Sequence, residues 1–131
     1  MLHRIFLNLF VAIAALSATS VCIAQTPQEI ESARQKGIEF LKGEQFDDGS
    51  WEFENHDVGI TSLCAIALIE NGVSVSDPVI EKAHRFVQKN MADEKGTYDI
   101  ALAILFLSRV GDRENRPKIR DLAARLIAGQ N

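Results

Sequence analysis

The chain has 131 residues, 14 of them basic and 18 acidic, for a net charge of −4, and nearly half are apolar. That length allows one domain at most. An acidic balance with no basic cluster gives no electrostatic footprint for nucleic acid, and two cysteines, Cys22 and Cys64, exclude a disulfide-stapled scaffold.

The first element is a targeting segment. His3 and Arg4 precede an apolar run over residues 5–16, small residues follow, and Ala24 stands before Gln25. This order reads as a secretory signal peptide over residues 1–24. An uncleaved anchor is a weaker reading, because the run is short against the ~20 residues of a membrane span. A lipid-modified Cys22 is weaker still, with Val21 before it. Cleavage removes Arg4 and Cys22, which leaves 13 basic residues against 18 acidic and a net charge of −5. The expected location is therefore secreted or periplasmic, with residues 25–131 forming the domain.

Five helices are predicted in that domain. Thr26, Pro27 and Glu29 form a capping-box pattern. Behind it Ile30, Ala33, Gly37, Phe40 and Leu41 recur at spacings of three and four, an amphipathic stripe ending near Gly43. The second helix is apolar almost all round over residues 60–69, which predicts burial on every side. Asn71 and Gly72 close it with a left-handed cap. The third opens at Ser76 or Asp77 with Pro78 in its first turn. It carries Ile80, Ala83, Phe86 or Val87, and Met91 inward. The fourth is apolar over residues 100–107 and ends at Gly111; the fifth points Ile119, Leu122 and Leu126 inward.

Amphipathic and apolar helices therefore alternate, and the apolar pair superposes at a spacing of 39 residues, with Leu63 on Leu102, Leu68 on Leu107 and Gly72 on Gly111. Such alternation is a repeat. Its simplest geometry is a layer of apolar inner helices covered from outside by amphipathic ones.

Between the first two helices lies EQFDDGSWEF, residues 44–53, with the only tryptophan of the chain. Asp47, Asp48 and Gly49 favour a tight turn. The Gln45 amide can satisfy orphan groups at helix ends, and Trp51 offers a broad face for packing. Lys36-Gly37, Phe40-Leu41, Gln45, Gly49 and Trp51 together resemble the QW motif of the squalene–hopene and oxidosqualene cyclase superfamily. The resemblance implies an all-α fold of the α/α-toroid type, shared with protein prenyltransferase beta subunits. Here it would amount to about two and a half helical hairpins over residues 25–131. It also implies that Gln45, Gly49 and Trp51 knit adjacent hairpins together; a sugar-stacking Trp51 is the alternative.

The catalytic residues of those families do not carry over. The cyclase acid segment corresponds to GTYDIA, residues 96–101, where only Asp99 is acidic. The zinc set of the prenyltransferases has no counterpart: His84 is expected on a solvated outer face and Cys64 within an inner helix as an inert buried thiol. No catalytic residue, metal ligand or cofactor is therefore assigned. The candidate functional residues are His56 and Asp57, and Tyr98 and Asp99, because both pairs stand where an inner helix begins. For Asp57 and Asp99 the simpler role is that of an N-cap or of a first-turn residue favoured by the helix dipole.

Three functions are open at this level: a non-catalytic repeat scaffold or binding module, part of a terpene cyclase-like enzyme, or a carbohydrate- or polymer-binding domain. The scaffold is favoured. Gln130 falls where a second Gln-x-x-x-Gly-x-Trp would start, so the expected partners are further repeats of the same chain or a second copy meeting the inner-helix face. If the leader is cleaved, the intact mass of the exported protein lacks residues 1–24; a mass that retains them contradicts this reading.

Overall fold

In a computed structural model the described residues are 25–129. The signal peptide expected over residues 1–24 and the expected repeat position Gln130 lie outside them. The described residues are all-helical, with five helices and no strand: α1 Pro27–Gly43, α2 Asp57–Glu70, α3 Pro78–Asn90, α4 Thr97–Val110 and α5 Asn115–Ala128. The chain divides into two compact units, residues 1–31 and residues 32–131.

The described part of the first unit is the start of α1. Thr26 and Glu29 form the expected capping box. The Glu29 carboxylate accepts from Thr26 N–H at 2.8 Å, and Thr26 Oγ1 accepts from Glu29 N–H at 3.2 Å.

In the second unit the core lies among α2 to α5. α2 packs chiefly against α4, α4 against α5, and α2 against α3. Ala65, Leu68, Ile80, Ala83, Val87, Ala103, Phe106, Leu107 and Leu122 are fully or almost fully buried. Of the alternatives at the centre of α3, Val87 takes the core position and Phe86 is half-buried. Asp77 is the cap: its carboxylate accepts from Val79 N–H at 3.0 Å, with Pro78 opening the helix.

α2 and α4 are each 14 residues long and run parallel. Near their starts Asp99 accepts from Gly59 N–H, and at their ends Arg109 pairs with Glu70 at 2.5 Å. α3 runs antiparallel to α2, since the start of α2 and the end of α3 line one cleft. α5 likewise runs antiparallel to α4, because Asn115 at its start donates to Leu107 O.

Three sequence expectations are corrected. The inner helices are not buried on every side: Leu63 on α2 and Leu105 on α4 are 43% and 59% exposed. A helix inside a layer contacts neighbours on two or three sides, and here the described residues leave one side of each uncovered. The α1 stripe is also not a buried face. Ile30 and Phe40 are exposed, no α1 residue is fully buried, and only Ile38 and Leu41 pack on the core. Finally, His84 is not solvated. It is half-buried, 3.1 Å from Asn115 Oδ1 and 3.0 Å from Gln88 Nε2, with its ring edge-on to Phe106. Asn115 is fully buried, and a polar group there needs those partners.

α1 is held by its C-terminal end and by the following loop. The indole Nε1–H of Trp51 donates to Leu41 O at 2.8 Å, one of the carbonyls that a helix terminus leaves without an intrahelical donor. Trp51 N–H donates to Thr61 Oγ1 at 3.0 Å, which ties the loop to α2. The Gln45 amide bridges Gly49 O and Val79 O at 3.1 and 2.9 Å, tying the loop to α3. Gly49 has φ +95°, and a Cβ there would lie 2.5 Å from Lys82 O. No other residue type fits this approach without displacing α3. Ser50 N–H and Oγ–H both donate to Asp48 Oδ1, which closes the turn and holds the Asp48 carboxyl below its ordinary range.

Trp51 is only 4% exposed, so Trp51→Ala should destabilise the fold by about 3–5 kcal/mol. Trp51→Phe keeps most of the ring contact but leaves Leu41 O without its donor, and should cost less. Urea unfolding measures both. An unchanged midpoint for Trp51→Ala contradicts the joint described for this loop.

Candidate functional site at the start of α2 and α4

The four residues singled out in the sequence meet in two groups. His56, Tyr98 and Asp99 come together; Asp57 turns to a separate cleft. Both aspartates lie in the first turn of their own helices, where the dipole favours them, and neither is the N-cap residue. The residue before α2 is His56, which makes no side-chain cap, and α4 is preceded by Gly96, which has no side chain to offer.

Asp99 stands in the first turn of α4 and serves α2 instead. Its Oδ1 accepts from Gly59 N–H at 2.9 Å. Gly59 is the third residue of α2, so this amide is one of those that a helix start leaves without a carbonyl partner. Asp99 thus caps α2 from the neighbouring helix. A carboxylate at two adjacent helix N-termini is favoured by both dipoles. The approach requires glycine: a Cβ at Gly59 would lie 2.6 Å from Asp99 Oδ1 and 3.0 Å from Tyr98 Cε1.

The second oxygen of Asp99, Oδ2, accepts from His56 Nδ1–H at 2.8 Å. The Asp99 side chain is 1% exposed while that of His56 is 44% exposed. Tyr98 lies edge-on to the imidazole, with ring centres 5.4 Å apart. The bond to Asp99 raises the His56 pKa above its ordinary value, partial burial opposes the rise, and the charges of Asp99, Glu54 and Glu94 add to it. Such a pair can hold and release a proton near neutral pH.

Asp57 lines a cleft of about 230 Å³ with Asn55, Val58, Phe86, Asn90, Asp93 and Glu94. Its Oδ1 is buried without a protein donor. Among the described residues no group of three His, Cys, Asp or Glu side chains is arranged to hold a metal ion. Cys64 is a free, half-buried thiol whose pKa burial pushes up, which works against thiolate formation.

Sequence reasoning missed Gly59, Thr61 and Asn115. Gly59 did carry a signal, a glycine in the first turn of an otherwise apolar helix. Asn115, between charged residues, carried none.

The chain matches no family model, no curated protein and no solved structure.

Asp99→Ala leaves the buried Gly59 N–H without an acceptor, and should cost about 1–3 kcal/mol. Asp99→Asn keeps an acceptor for Gly59 and should cost less. Chemical denaturation of the two variants measures the difference; equal stabilities would show that the Gly59 bond contributes little.

Proposed function

We propose that this chain is an exported helical-repeat scaffold or binding module of the α/α-toroid type, without catalysis of its own. The observation that carries this reading is the parallel pair α2 and α4, which presents apolar side chains on an uncovered side. Leu63 and Leu105 are exposed there, and Ile66 and Leu105 line a cleft of about 370 Å³ with Ser108 and Arg109. Helical spacing puts Leu63 with Ile66, and Leu102 with Leu105, on the same side of their helices. Parallel helices joined by a returning one are the arrangement that stacked helical hairpins require.

The joint at Trp51 supports the same reading. Gln45, Gly49 and Trp51 tie α1, α2 and α3 together through directional bonds, the role that a QW-type motif implies.

Exposed apolar surface of this kind takes a partner or further helices of the same type. The protein should therefore bind a hydrophobic dye or self-associate at micromolar concentration. The double variant Leu63→Glu, Leu105→Glu should do neither while keeping its helical circular dichroism. A wild-type protein that stays monomeric by light scattering and binds no dye contradicts the proposal.

A further inference from the structure

We propose that His56 and Asp99 form a proton-operated latch. With the imidazole charged, the pair clamps residues 52–57 and the first turn of α2 onto α4; with the imidazole neutral, the clamp loosens. The inference rests on the geometry of the pair and does not depend on the toroid reading.

The two partners differ in what the latch needs. Asp99 is shut away from water, held by Gly59 N–H on one oxygen and by His56 on the other. Among the described residues its only ion-pair partner is His56. A buried carboxylate is stabilised by a nearby positive charge, and His56 is the side chain able to supply and withdraw one near neutral pH. His56 is open enough to exchange protons with bulk water.

The proton that leaves is the one on Nε2. Nδ1–H stays on Asp99, so the hydrogen bond to the carboxylate survives in the neutral form, but the ring's positive charge and its attraction to that carboxylate are lost. The pair is thus a clamp with two strengths, and the change needs no rearrangement of the ring.

The groups facing His56 push in one direction. Asp99 and Tyr98 come from α4, Glu94 from the loop between α3 and α4, and Glu54 from the same segment as His56; Asp57 follows it in the chain. The carboxylates favour the charged ring. The raised pKa of His56 agrees with that sum. Because the folded pKa exceeds the unfolded one, the stabilisation is complete below the ordinary value of 6.5 and is lost as pH rises through the folded value.

The clamped segment has reason to open. Residues 52–55 are exposed, and Glu54 holds a left-handed φ of +55°, an unfavourable conformation for a residue with a side chain. Once the clamp weakens, less opposes its release.

The test is an NMR titration with amide exchange on the full chain, using His56→Gln to assign the ring signal and Asp99→Asn to remove the charge partner. In the wild type the His56 midpoint should lie above 6.5. The protection factor of the Gly59 amide should fall as pH rises through that midpoint. Asp99→Asn should return the midpoint to the ordinary value or below, and His56→Gln should abolish the pH dependence of Gly59 protection. If Asp99→Asn does not fold, the wild type and His56→Gln decide the matter alone. A wild-type midpoint at or below 6.5 overturns the latch. So does the same pH dependence of Gly59 protection in wild type and His56→Gln.

Discussion

One buried carboxylate sets how the two central helices meet. Asp99 belongs to α4 by sequence but completes the first turn of α2 by hydrogen bonding to Gly59 N–H. That bond fixes the start of α2 against the start of α4, and with it the parallel direction of the pair. Apolar contacts between Ala65, Leu68, Ala103 and Phe106 contribute most of the burial, but they are not directional and would tolerate other registers. The Glu70–Arg109 pair at the far end marks the same register. It is exposed on both sides, and an ion pair of that kind contributes little to stability.

The second fastening is the loop that contains Trp51. It bonds to α1 through the indole, to α2 through Trp51 N–H and to α3 through Gln45, so one ten-residue stretch, residues 44–53, serves three helices. α1 depends on it heavily. With Ile30 and Phe40 exposed, α1 gains little from burial, and its contacts come from Ile38, Leu41, the bond between Arg34 and Asn71 O, and the Lys42–Asp77 pair at 2.6 Å. The Lys42 bond also holds the Asp77 carboxyl below its ordinary range, which keeps the α3 cap ionised. Capping of α3 and retention of α1 are thus linked through one side chain.

What could be read in the sequence follows from the range over which each interaction acts. The capping box at Thr26 and Glu29, the left-handed cap at Gly72 and the end of α4 at Gly111 are decided within a few residues and were legible, while the start of α3 stayed open between Ser76 and Asp77. The core stripes of α3 and α5 were legible because helical period alone decides them. The bond from Asp99 to α2 was not: local pattern places the aspartate at the start of its own helix, where it does lie, but its partners His56 and Gly59 are far back in the chain. His84 failed for the same reason, since its partner Asn115 arrives from another helix. Burial of the apolar helices was overstated because composition tells how apolar a helix is, not how many neighbours it has. Local pattern placed both pairs only at the starts of inner helices; the structure brings Tyr98 and Asp99 against His56, whereas Asp57 faces another cleft.

The central claim is that α2 and α4 lie parallel and in contact at their starts, with Gly59 seated against the first turn of α4. Nuclear Overhauser contacts between the Tyr98 ring and the Gly59 α-protons measure this directly, since a Cβ placed on Gly59 would lie only 3.0 Å from Tyr98 Cε1. Strong cross-peaks between these protons are expected in the wild-type protein. Their absence, with the Tyr98 ring instead contacting the end of α2 near Glu70, would contradict that claim.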